Sequence, residues 1–215
     1  MQKKIGCSCL IDISQTLNKD MPVYPGIKTI DVHYNRSYEN EDGMAESSIS
    51  LNSHFGTHIE SPFHFLKNGK KIEDLDLDIF CGPAQVIEIP QEFKSVTSGF
   101  VSKKNIYCER VLFKTGNSSL LRNKNFQSDY TYISEGLAEY LVTKNVKLVG
   151  LDYFCVDKYK DSKRSAHKAL FRSGIVILET INLLDVAEGE YLLICLPLKI
   201  SSVEASPCRA VLIKQ

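Results

Sequence analysis

The chain has 215 residues, 43% hydrophobic and 24% charged, with 26 basic and 26 acidic side chains and a formal net charge of zero. This balance fits one globular domain spanning residues 1–215 with a substantial core. It argues against nucleic acid or an anionic membrane as partner, both of which favour clustered excess positive charge. The densest basic stretch, Lys158 to Lys168, is broken by Asp161 and reads as a solvated loop.

From the N-terminus, Met1–Asp12 carries too short an apolar run for a secretory signal. Leu10–Ile13, Thr29–Tyr34 and Ser47–Leu51 read as strands from β-branched content and rough alternation. Between the first two, Met21-Pro-Val-Tyr-Pro-Gly26 is a turn or extended loop, because two prolines forbid regular hydrogen bonding. Ala84–Ile89 and Arg110–Lys114 are apolar strands, and Gly99–Cys108 has no clear pattern. Ser134–Asn145 reads as a helix with Ser134 as its cap and Leu137, Tyr140 and Leu141 as its apolar stripe. It feeds the strand Val146–Leu151. A second helix, Ser165–Arg172, is stopped by Gly174 and followed by the strand Ile175–Leu178, closed by Glu179. Tyr191–Leu196 and Ala210–Ile213 supply two more strands. Alternating helices and strands in this half give an α/β class with a mixed sheet and flanking helices. Tyr191–Leu198 is short and contains Pro197, so no transmembrane helix is expected.

Seven scattered cysteines (7, 9, 81, 108, 155, 195 and 208) form no Cys-x-x-Cys pair. They predict reduced, mostly buried thiols in a cytoplasmic protein. Cys7 and Cys9, two apart at a strand start, would share one buried face.

Three of the five histidines fall within eleven residues, as His54, His58 and His64, with Glu60 among them. Imidazole is the commonest metal ligand and the usual proton carrier near neutral pH. Gly56, Thr57, the β-branched Ile59 and Pro62 disfavour a helix here. In extended backbone, positions 54, 58 and 60 share one face, and Gly56 would leave a gap on it for an ion or substrate. Pro62 ends the strand and frees His64 to approach the ion from its open side. Two imidazoles and a carboxylate suit Zn²⁺ or another first-row divalent ion. Glu179, at a strand end, and His167, in the first turn of the preceding helix, are candidates to complete the site. On local context alone, either could equally be a solvent-facing residue. His33 sits in an alternating strand without acidic or cysteine neighbours and reads as structural.

The string His54-Phe-Gly-Thr-His58-Ile-Glu60-Ser-Pro62-Phe-His64 resembles the His-x-Gly-Thr-His-x-Asp-x-Pro-x-His signature of the cyclase/bacterial kynurenine formamidase family. Asp12-Ile-Ser, Pro22-Val-Tyr-Pro-Gly26, Gly150-Leu-Asp152 with Asp157, His167 twelve residues before Glu179, Pro197-Leu and Ser206-Pro-Cys-Arg209-Ala resemble its other motifs, in the same order. The resemblance implies an α/β fold, a homodimer or homotetramer, a small-molecule substrate and two Zn²⁺ per subunit, with Mn²⁺ as an alternative. His54, His58 and Glu60 would hold one ion, and Glu60 would bridge to a second held by His167 and Glu179. His64 would be the catalytic acid/base, and Tyr24, at the family's loop aromatic, would line the substrate pocket. The implied activity is an arylformamidase that converts N-formylkynurenine to kynurenine and formate with metal-activated water. Ring-opening of a cyclic amide or lactone, as in isatin hydrolase-like relatives, is the alternative, and a non-catalytic metal-binding protein is a third reading. Two positions depart from the family: Glu60 stands where it has Asp, and Ile27 follows Gly26 where formamidases usually have Asp.

Overall fold

The computed structural model describes residues 10–214. In chain order the strands are β1 (Leu10–Asp12), β2 (Asp31–Arg36), β3 (Glu46–Ser50), β4 (His58–Glu60), β5 (Cys81–Glu88), β6 (Ser95–Val96), β7 (Arg110–Lys114), β8 (Tyr132–Ile133), β9 (Leu148–Leu151), β10 (Val176–Glu179), β11 (Gly189–Ile194), β12 (Ala205–Pro207) and β13 (Val211–Ile213). The helices are α1 (Ser98–Val101), α2 (Asn117–Leu120), α3 (Glu135–Val142) and α4 (Ser165–Arg172). Among the described residues, nine strands form one mixed sheet in the order β1-β13-β11-β5-β7-β9-β10-β4-β12. Its centre, β5-β7-β9-β10, is parallel, and its flanks are antiparallel.

The central strands read as continuous apolar runs because both faces of a parallel sheet are covered. Successive side chains alternate sides, so Val111, Phe113, Val149, Leu151 and Ile177 pack beneath α3 and α4. Leu112, Leu148, Val176 and Leu178 enter a second core with Ile59, Phe80 and Leu193. Gly150 belongs to this close packing: a Cβ there would collide with Leu112.

Local chemistry sets the helix ends. The Ser134 hydroxyl accepts a hydrogen bond from the Leu137 amide, capping α3 as expected. After α4, Gly174 takes φ +73°, its amide donates to Phe171, and the Ile175 amide donates back to Leu170. This is the left-handed helix stop that glycine allows without a Cβ penalty.

Several expectations need correction. The Lys158–Lys168 stretch is not merely a solvated loop: α4 begins at Ser165, Arg164 is half-buried and His167 is buried. The strands expected near 29–34 and 47–51 exist, but their hairpin, β2–β3, is exposed at every residue, His33 included. Alternation there does not mark a face of the main core. The unassigned 99–108 region holds α1 and a following 3-10 turn. Among the described residues Cys108, Cys155 and Cys195 are buried, Cys208 is half-buried and Cys81 is exposed, all as free thiols. The shared face expected for Cys7 and Cys9 lies outside the described residues. Among them, no helix is long and apolar enough to cross a membrane.

Candidate metal centre

β4 carries His58 and Glu60 on one face and sends Ile59 into the core behind. Its antiparallel pairing with β10 sets His58 opposite Glu179. α4 links β9 to the parallel β10, and its N-terminal turn brings His167 to the same point. His54 lies in the turn before β4 and His64 in the 3-10 turn Pro62–His64 after it. The sequence-level idea of one strand face bearing 54, 58 and 60 therefore fails for His54. Gly56 is likewise no gap for an ion: it adopts φ +72°, and a Cβ there would run into Leu17.

The six side chains nevertheless converge. His54 Nδ1 lies 2.7 Å from Glu60 Oε1 and 3.2 Å from His58 Nε2. His58 Nε2 is 3.4 Å from Glu60 Oε1 and 3.8 Å from Glu179 Oε2. The other Glu60 oxygen, Oε2, is 3.0 Å from His167 Nε2, which is 3.6 Å from Glu179 Oε1. Each oxygen of Glu60 thus faces a different set of imidazoles. His64 Nε2 stands 3.8 Å from Glu60 Oε1. Its side chain is 27% exposed, against 2–3% for His58, Glu60, His167 and Glu179, so it is the most accessible of these.

His54, His58 and His167 each have the outer nitrogen tied to an acceptor. His58 Nδ1 donates to the Gly56 carbonyl at 2.8 Å, which leaves Nε2 with a lone pair. His54 Nε2 faces Glu204 Oε1 at 3.1 Å, and Glu204 is held by the Ser53 hydroxyl. His167 Nδ1 faces Asp157 Oδ2 at 2.5 Å, while Asp157 Oδ1 accepts the Ala166 amide. The three inward nitrogens can therefore all present lone pairs to the Glu60 and Glu179 carboxylates. Lone pairs and carboxylates packed this closely repel unless a cation or protons lie between them, and a divalent ion fits this donor set.

The titration shifts reflect that crowding. Burial alone would raise the Glu60 carboxyl, but the His167 charge and hydrogen bonds from His167, His54 and His58 hold it well below the usual range. Burial and then the Glu60 charge push Glu179 well above it. Burial opposes charging of His167, yet Glu60 and Asp157 raise it to about 10. Burial pushes His64 down to about 4, which favours its neutral form.

Tyr24 is positioned by its own loop. The Ile27 amide donates to the Tyr24 carbonyl at 3.0 Å, with Pro25 second in the turn and Gly26 third at φ +95°. Pro fixes the first corner and Gly permits the positive φ of the second. Tyr24 and Ile27 thereby line a cavity of about 410 Å³ with His54, His64, Arg164 and His167. Sequence reasoning missed Arg164, Asp157 and Glu204 as members of this environment. Asp157 carried a motif signal without a role, Arg164 was submerged in a basic run, and nothing local to Glu204 marks it.

A family model described as a putative cyclase matches residues 11–158. The chain is 36% identical over 203 residues to a kynurenine formamidase of Bacillus thuringiensis subsp. konkukian, covering 94% of this chain and 96% of that one. A solved structure described as a potential metal-dependent hydrolase with cyclase activity superposes with a TM-score of 0.81 at 28% identity, covering 94% and 96% of the two chains. An isatin hydrolase bound to thioisatinate shares the fold, with a TM-score of 0.85 at 20% identity over 96% of this chain and 92% of that one. Fold, donor set and relatives define a metal-dependent amide hydrolase, an enzyme with a metal cofactor. The chain belongs to the cyclase family.

Proposed function

We propose that the protein is an arylformamidase that hydrolyses N-formylkynurenine to kynurenine and formate, with two Zn²⁺ per subunit. His54, His58 and Glu60 would hold one ion, and Glu60, His167 and Glu179 the other. The observation that carries this reading is the arrangement of Glu60, whose two oxygens face the His54/His58 pair and His167 separately. A bridging role for Glu60 in place of the family Asp is supported by that geometry. When bound, divalent ions supply an acidified water and polarise a carbonyl. The protein's own part is to hold imidazole tautomers through Gly56, Glu204 and Asp157, and to move protons through His64. Neutral His64 takes the proton released as water adds to the formyl carbon, then delivers it to the departing aryl amine. Tyr24 and Ile27 form an apolar side of the cavity suited to the aromatic ring.

The same reading includes a cytoplasmic homo-oligomer. Free buried thiols support a reducing compartment. The exposed β2–β3 hairpin supports association, because a lone two-stranded ribbon is marginal in water. Its Val32, Tyr34 and Ile49 share one face, with Tyr34 63% and Ile49 60% exposed. Incubating the zinc-loaded protein with N-formylkynurenine and with isatin tests the substrate assignment. The formamide is expected to be consumed faster; preference for isatin would replace this reading with ring-opening hydrolysis.

A further inference from the structure

Arg164 is the last residue before α4 and takes φ 52°, ψ 50°, a left-handed conformation that is uncommon and costly for a residue with a Cβ. The side chain lines the same cavity as His64 and Tyr24. Its guanidinium lies beside the Tyr24 hydroxyl, and its Nη1 is 3.8 Å from the Cys155 thiol. Neither neighbour is a carboxylate: one is a phenol and the other a thiol.

Among the described residues Arg164 makes no ion pair, whereas Arg209 is paired with Asp12. Two carboxylates in its neighbourhood are already engaged, Asp157 by His167 and the Ala166 amide and Asp161 by the Lys163 and Ser165 amides. Ile27, where formamidases usually carry Asp, contributes no charge to the cavity. A half-buried guanidinium with five donors and no carboxylate at ion-pair distance among the described residues is an unmet demand, and a substrate carboxylate matches its planar fork.

We propose that Arg164, assisted by the Tyr24 hydroxyl, is a specificity-determining subsite for a substrate carboxylate, so that the enzyme selects formamides bearing an acid group over neutral ones. This rests on the formamidase reading, in which the amino-acid end of N-formylkynurenine supplies that carboxylate. Arg164 touches no reacting atom. Its contribution is to orient the substrate, and it appears as discrimination between charged and neutral substrates.

The test compares kcat/KM for N-formylkynurenine with that for N-formyl-2-aminoacetophenone, which keeps the aryl formamide and lacks the amino-acid group. In Arg164→Leu the ratio of the two should fall by roughly 10- to 100-fold, the range of a lost charged hydrogen bond. Arg164→Lys, which keeps charge without the fork, should fall between. An unchanged ratio would overturn the proposal. If neither compound is hydrolysed by the wild type, the formamidase reading fails, and binding decides Arg164 separately. Calorimetry on zinc-loaded protein would use 3-benzoylpropionate and its amide. The acid should bind the wild type about tenfold or more tightly than the amide, and this preference should vanish in Arg164→Leu. An acid that binds both proteins alike, or neither, contradicts the subsite. Arg164→Gln serves in both assays if the leucine variant loses metal or folded structure.

Discussion

At the residue scale, the roles separate by which nitrogen is committed and which is free. His64 is a half-buried imidazole facing the cavity, its pKa pushed down by burial to about 4. His64→Ala should lower turnover by roughly 10²- to 10⁴-fold while metal content per subunit stays unchanged, as elemental analysis would read. Loss of metal together with activity would make His64 a ligand instead. Asp157 acts through His167. In Asp157→Asn, if the amide oxygen keeps the Ala166 hydrogen bond, the NH₂ faces Nδ1 and forces the proton onto Nε2, which then cannot ligate. If the amide turns over, its NH₂ opposes the Ala166 amide instead. Affinity for one of two ions should therefore fall by roughly 10- to 100-fold in a metal titration, with the other retained. Equal loss of both, or of neither, would contradict the tautomer argument. The crowded histidines and Glu60 were legible in the sequence because scarcity and spacing are local properties. Arg164 was not, since its inward turn depends on where α4 begins and on a cavity wall about 140 residues earlier in the chain, at Tyr24.

At the element scale, the site is a meeting of short segments. β4 has only three residues and gains its rigidity from β10 on one side and β12 on the other. The 3-10 turn that follows it and carries His64 is backed by Gly69: a Cβ there would overlap the backbone of Pro62 and Phe63, which cannot step aside as a side-chain tip can. Gly69→Ala should destabilise the fold by about 1–3 kcal/mol in denaturant unfolding and reduce turnover through displacement of His64. Unchanged stability and activity would show that the turn is more pliant than its packing implies. Long apolar strands and capped helices, such as β7, α3 and α4, were readable from pattern, because local preference and tertiary role agree in them. The parity rule failed for His54 because regular strand begins only at His58, and a turn brings the earlier histidine round instead.

At the scale of the whole molecule, the mixed sheet has covered faces, yet the β2–β3 ribbon projects with an apolar side toward solvent. Burying that side against a second copy is the proposed resolution. The protein should sediment as a dimer or tetramer at micromolar concentration, and Tyr34→Asp combined with Ile49→Asp should shift it toward monomer. A monomeric wild type would contradict the assignment. The sheet order could not be read from the sequence, since β10 and β12 flank β4 from more than 100 residues further along the chain and nothing local records that pairing. We propose that His54, His58, Glu60, His167 and Glu179 hold two ions beside His64 as acid/base, and that the site cleaves a formamide. The most direct measurement is the rate of N-formylkynurenine hydrolysis as the metal-free protein is titrated with zinc. The rate should climb to a plateau at about two equivalents per subunit, as expected for a two-ion site. No turnover at any loading would contradict it.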